Sequence, residues 1–211
     1  MSLPPTVSLP ATLLLIRHGT NPKVGKGLTG WLPGVSLDAN GRRQAARLAE
    51  SLARFPISAI YSSPLERAME TAGPLARQKG LNIVAEPALG EVNFGDWQGK
   101  DYPELEHDPR WGRFNTFRSG TKAPGGESML ETQARMTGAL FALASRHAGE
   151  MIAVFSHADA IKSAIACMLG IPLDFHLRLE ILPASVTTVD LYEEMPLVRS
   201  VNVSSLSEDR E

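Results

Sequence analysis

The chain has 211 residues, of which 43% are hydrophobic, with 21 Lys plus Arg against 23 Asp plus Glu. That length supports one hydrophobic core, and a formal charge of −2 gives neither a nucleic acid nor an anionic membrane surface a reason to bind, so any basic site is local. A single cysteine, Cys167, excludes an internal disulfide and fits a reducing compartment. The early sequence has no apolar run of membrane-spanning or signal-peptide length, which makes the cytoplasm the expected location.

The first ten residues carry three prolines and read as an N-terminal extension, 1–10. Thr12 to Ile16 is a continuous apolar run of the kind a buried parallel strand shows, and it ends abruptly at Arg17-His18-Gly19. A Gly-rich loop through Gly25, Gly27, Gly30 and Gly34 follows. From Asp38, the residues Ala45, Leu48, Ala49 and Leu52 recur at spacings of three and four, which predicts a helix with one apolar face. Ile57 to Tyr61 reads as a second strand. Ser63-Pro64-Leu65-Glu66 then has the pattern of a capping box, with Ser63 as N-cap and Arg67 in the first helical turn.

Leu81 to Ala85 is expected to be a third strand. From Glu86 to about Gly126 the pattern is irregular, with glycines, charges, Trp97 and Trp111, and this stretch is expected to lie over a site. Glu127-Ser128 starts a long helix that runs to His147. Met151 to Phe155 is another apolar strand, and Ser156-His157-Ala158 repeats the strand exit seen at Arg17-His18. A helix through Ile161 and Cys167, whose apolar surroundings predict a buried thiol, leads to strands near Val186–Tyr192 and Leu197–Val203. The polar tail, 204–211, is expected to be flexible, and the whole chain 1–211 reads as one domain with alternating β and α elements. His107, His147 and His176 fall in polar or amphipathic surroundings and read as surface residues.

Right-handed crossovers bring the C-terminal ends of parallel strands to one edge, so His18, Arg67 and His157 are expected to converge there. Two guanidinium forks suit a tetrahedral oxyanion, and a neutral imidazole beside them can act as a nucleophile. Two histidines with a carboxylate would also suit a metal, but fixed cations beside them would repel a divalent ion.

The ordered segments Arg17-His18-Gly19, Thr29-Gly30-Trp31, Leu37-Asp38-Ala39-Asn40-Gly41, Ser62 to Ala72, Leu89 to Gly99, Pro124 to Ser128 and Phe155-Ser156-His157-Ala158 resemble the histidine phosphatase superfamily, phosphoglycerate mutase-like branch. The resemblance implies an α/β fold, a three-layer α/β/α sandwich with a mostly parallel central sheet. It also implies that His18 attacks phosphorus to give a phosphohistidine, that Arg17, Arg67 and His157 surround the phosphoryl oxygens, and that Glu91 protonates the leaving oxygen and then activates water. No metal or cofactor is then needed, and the partner is a small phosphorylated metabolite. Thr20-Asn21-Pro22-Lys23 departs from the family pattern, and Asn21 is the candidate for an additional phosphate ligand. Glu91 is followed by Val92-Asn93-Phe94 without the Arg-containing segment of the mutases, which favours a phosphatase over a mutase. A silent phosphate-binding module is the reading from a different class. Lys100, Arg110, Arg113, Arg118 and Lys122 are either a specificity patch or a solvated face, and Trp31, Trp97 and Trp111 either wall the pocket or pack loops. Nothing in the composition requires a homodimer, although an edge strand leaves one open.

Overall fold

The computed structural model describes residues 9–204, so the expected N-terminal extension and polar tail lie almost wholly outside the described residues. Six strands form one mixed sheet in the order β3-β2-β4-β1-β5-β6: β1 Ala11–Arg17, β2 Ile57–Ser62, β3 Ile83–Ala85, β4 Met151–Ser156, β5 Val186–Leu191 and β6 Pro196–Val203. The pairs β3·β2, β2·β4 and β4·β1 are parallel, while β1·β5 and β5·β6 are antiparallel.

The alternation of side chains along each strand divides the core. Leu14, Ile16, Ala153 and Phe155 face Leu48 and Leu52 of α1 (Ala39–Leu52) and Leu75 of α2 (Glu66–Lys79). Leu13, Leu15, Ile152 and Val154 face Met136, Leu140 and Leu143 of α5 (Met129–Arg146) and Ile161, Ala164 and Ile165 of α6 (Ala158–Met168). Central strands buried on both faces must be apolar throughout, which is why β1 and β4 are uninterrupted runs in the sequence. The result is the three-layer sandwich, its sheet parallel at the centre and antiparallel at one edge.

Local signals set most element starts. Asp38 caps α1 by accepting from Gly41 N at 2.7 Å, and Ser128 with Glu131 forms the capping box of α5. The cap of α2 corrects the expectation. Its N-cap is Leu65, with no side-chain cap bond, because Ser63 Oγ accepts Leu65 N at 3.3 Å in a local turn and is also engaged by His157. The stretch after β3 is less irregular than expected, since it holds α3 (Tyr102–Glu106) and α4 (Pro109–Thr116). Helices of five and eight residues are too short to display a 3.6-residue period in sequence. They pack on a separate apolar cluster that includes Val92, Phe94, Trp97, Leu105, Phe114 and Met129, which holds this excursion against the sheet.

Two burial expectations are reversed. Cys167 is exposed, because the residues of α6 that face the core are Ala160, Ile161, Ala164 and Ile165, and apolar neighbours in sequence do not share its side of the helix. His176 is fully buried in the two-turn 3-10 segment Leu173–Arg178. His147 is half-buried and bridges Tyr61 Oη at 2.9 Å and Glu150 at 2.7 Å, whereas His107 is exposed as expected.

Candidate active site

The register places Arg17 opposite Ser156 and Ser62 opposite Phe155, so the chain leaves β1, β2 and β4 at one level and three loops meet. His18 follows β1 with its N–H donating to Ser156 O at 3.0 Å. Its Nδ1 lies 2.7 Å from Gly19 O, an oxygen that can only accept, so the ring proton sits on Nδ1 and the Nε2 lone pair is free. Burial, then Arg67 and Arg17, pushes the basicity of His18 well below that of an ordinary imidazole. The loop is held by backbone packing that tolerates no side chain. A Cβ at Gly19 would lie 2.8 Å from Gly41 O, and one at Gly41 would lie 2.1 Å from Thr20 O. Gly19 N also donates to Thr71 Oγ1 at 3.0 Å, which ties the loop to α2.

Around His18 stand three groups with buried nitrogens that have no partner among the described residues. Arg67 is fully buried and spends Nη2 on Gly30 O at 2.7 Å, while its Nε and Nη1 have no partner among the described residues. Arg17 spends Nη1 on Ile181 O at 2.6 Å and leaves Nε unpaired. His157 spends Nε2 on Ser63 Oγ at 2.8 Å and leaves Nδ1 unpaired, with its ring 5.1 Å from that of His18. Burial lowers Arg67 to about 10, which keeps it protonated at neutral pH. Buried donors without acceptors cost free energy that a multidentate oxyanion recovers, so the cluster is chemically suited to cradle an acceptor-rich anion.

The opposite wall is acidic. Glu91 Oε1 accepts Val92 N at 3.0 Å and Ala160 N at 3.2 Å, and its carboxyl is pushed up by burial and then by Asp159. Burial also pushes Asp159 up, yet Arg118 at 3.0 Å, His176 and Lys162 outweigh it and hold Asp159 at about 2. One carboxyl is thereby biased toward its protonated form by an ionised neighbour. Arg17, His18, Asn21, Lys23, Glu91, Phe94, Tyr102 and Asp159 are among the residues around a cavity of about 110 Å³.

All five expected catalytic residues, His18, Arg17, Arg67, His157 and Glu91, therefore meet at one place, and Asn21, 4% exposed, lies on the same cavity with Oδ1 accepting Lys23 N at 2.9 Å. Of the five basic residues left open, Arg118 alone is buried beside the site. Arg110 pairs with Asp108, Lys122 pairs with Glu131, and Lys100 and Arg113 are exposed. Trp97 and Trp111 pack the satellite cluster, whereas Trp31 Nε1 donates to Glu91 O. Sequence reasoning missed Ser63, Thr71, Asp159 and Arg135. The last donates to Ala88 O, Gly90 O and Glu91 O at 2.8, 2.8 and 2.7 Å, pinning the segment that carries Glu91. Among the described residues no three His, Cys, Asp or Glu side chains are grouped to hold a metal ion, and no helix is long and apolar enough to cross a membrane.

The family model described as histidine phosphatase superfamily (branch 1) matches residues 13–204. Phosphoserine phosphatase 1 of Hydrogenobacter thermophilus is 28% identical over 199 residues, covering 91% of this chain and 92% of that protein. Phosphoglycerate mutase-like protein 4 of Arabidopsis thaliana is 36% identical over 159 residues, 72% of this chain and 69% of that protein. Among solved structures, Bacillus stearothermophilus YhfR superposes with a TM-score of 0.86 at 28% identity, covering 93% of this chain and 98% of that one.

Proposed function

The chain belongs to the histidine phosphatase superfamily, branch 1, and from that premise we propose that it is a metal-independent phosphatase of small phosphomonoesters. The observation that carries this reading is a histidine with a free Nε2 facing two guanidinium groups whose buried N–H donors have no acceptor among the described residues, beside a second buried histidine with an unpaired Nδ1. In the proposed cycle the phosphoryl oxygens take the donors of Arg17, Arg67 and His157, with the Asn21 amide as an additional ligand. His18 Nε2 attacks phosphorus as the ester P–O bond breaks, and the protonated Glu91 gives its proton to the departing alkoxide. The phosphohistidine is then hydrolysed by water that passes a proton to Glu91, releasing inorganic phosphate and restoring both groups. Phosphoryl transfer spreads charge over equatorial oxygens, so positioned donors supply most of what the reaction needs. Proton transfer to the leaving group adds roughly 10²–10⁴-fold.

Hydrolysis is preferred to a mutase reaction because the residues after Glu91 are spent on structure. Val92 is buried, Asn93 N donates to Glu127 at 2.9 Å, and Phe94 is 3% exposed on the cavity wall. No basic side chain there holds a phosphorylated product for return to the nucleophile. The relatives' names, a phosphoserine phosphatase and a phosphoglycerate mutase-like protein, make small phosphorylated metabolites the substrate class to test. The experiment is turnover of p-nitrophenyl phosphate with and without EDTA in the native enzyme and in His18→Ala. A panel of phosphorylated metabolites follows, with the products of 3-phosphoglycerate resolved. EDTA-resistant release of phosphate that is lost in His18→Ala is the expected result. Conversion of 3-phosphoglycerate to its isomer without phosphate release supports the mutase, phosphate binding without turnover supports a silent module, and loss to EDTA overturns the metal-independent step.

A further inference from the structure

His157 presents Nδ1 to the anion cradle and Nε2 to Ser63, and what it can do with the first depends on what happens at the second. Its ring is fully buried, and burial followed by Arg67, His18 and Arg17 keeps the imidazole neutral. A neutral imidazole has one proton. On Nε2 it would leave a lone pair on Nδ1 pointing at the phosphoryl oxygens, and two acceptors would face each other in a buried site. On Nδ1 it would make His157 a donor to those oxygens and would leave Nε2 to accept.

Ser63 is built to decide between these forms. It is fully buried, its N–H donates to Phe155 O at 2.9 Å, and its carbonyl accepts Ser62 Oγ at 2.8 Å. Its hydroxyl oxygen accepts Leu65 N at 3.3 Å, so a lone pair is occupied and the hydroxyl proton is directed to the remaining neighbour, Nε2 of His157 at 2.8 Å. Neighbouring Pro64 brings no N–H to compete for that oxygen.

We propose that Ser63 is a positioning residue that holds His157 in its Nδ1–H form, so that a neutral histidine donates a hydrogen bond to the bound phosphoryl group. The role of the bond at Nδ1 rests on the phosphatase reading given above, whereas the tautomer itself is a property of the resting enzyme. Without the hydroxyl, Nε2 has no donor and the imidazole populates both forms. Losing the preference conferred by one buried hydrogen bond lowers kcat/KM and vanadate affinity by about tenfold.

The test is two-bond ¹H–¹⁵N correlation of histidine-labelled enzyme without ligand, with His157→Gln used to assign the ring. In the native enzyme His157 is expected to show a protonated Nδ1 and a pyridine-like Nε2. In Ser63→Ala the Nε2–H form should appear together with the tenfold loss, and Ser63→Thr, which keeps a hydroxyl, should retain the native pattern. A native His157 in the Nε2–H form, or a Ser63→Ala enzyme with native tautomer and native vanadate affinity, overturns the proposal. The native spectrum decides even if Ser63→Ala fails to fold. Because that spectrum needs no turnover, it also separates failure here from failure of the phosphatase assignment.

Discussion

Replacing Arg135 with methionine removes a planar fork that joins α5 to the segment carrying Glu91, and the structure sets the size of the effect. The bidentate pair with Glu127, at 2.8 and 2.9 Å, has side chains 20% and 23% exposed, so it stands between a screened surface pair and a buried one. Its loss costs roughly 2 kcal/mol on that interpolation. Glu91 O keeps Trp31 Nε1, but Ala88 O and Gly90 O lose the Arg135 donor, at about 1 kcal/mol each. The total of about 4 kcal/mol corresponds to a fall in Tm of roughly 8–16 °C for a chain of this size. Methionine fills the stem but offers no donor, so residues 88–91 are free to shift. A displacement of the Glu91 carboxyl by about 1 Å would lower kcat on the order of 100-fold. Vanadate affinity should persist, since His18, Arg17 and Arg67 make no bond to Arg135. Thermal melting, steady-state hydrolysis of p-nitrophenyl phosphate and vanadate inhibition check the three parts. A variant within about 2 °C and twofold of the native enzyme would refute the assignment of Arg135 as the anchor of Glu91.

In the proposed cycle Glu91 acts as the acid only when protonated, and burial with Asp159 raises its folded-state value, so kcat/KM should fall as pH rises through that raised value. Asp159→Asn removes a negative neighbour and should move this limb toward acid, which a pH–rate profile reads directly. The same substitution should flatten the acid side of the Tm–pH curve. Asp159 sits at about 2 when folded, below its ordinary 3.8, so its contribution to stability is present above the ordinary value and is lost as pH falls through about 2. Gly41→Ala and Gly138→Ala are both helical substitutions that propensity alone would make stabilising by about 0.5–1 kcal/mol. Only Gly138 has open space around its Cβ, so Gly138→Ala should raise Tm, whereas Gly41→Ala drives a methyl into Thr20 O and should cost about 1–3 kcal/mol and activity together.

The layers and the edge on which the site lies were legible in the sequence because both follow from short-range patterns. A strand buried on two faces has to be an apolar run, as Leu13–Ile16 and Ile152–Phe155 are, and a polar triplet at its end has to be a loop at the sheet's edge. The amphipathic period of α1 and the capping box of α5 are equally local. The residues Arg17, His18, Arg67, Glu91 and His157 stood out through motifs that resemble a known family, and those motifs need no coordinates. Ser63 shows where that reasoning fails. Its pattern is that of a helix cap, yet its hydroxyl is committed to a histidine 94 positions away. Arg135 reaches Glu91 across 44 positions, and Arg118 reaches Asp159 across 41.

The sequence by itself determined the order of the strands and long helices, the strand exits and the chemical types gathered at them. Tertiary structure alone decided which donors are spent on protein and which are left for a ligand, that Cys167 faces outward and His176 inward, and that Asp159 stays ionised beside a carboxyl biased toward protonation. The reason is physical. Local patterns reflect the backbone's own periodicities, whereas hydrogen-bond partnership, burial and charge coupling depend on through-space distances between segments remote in the chain.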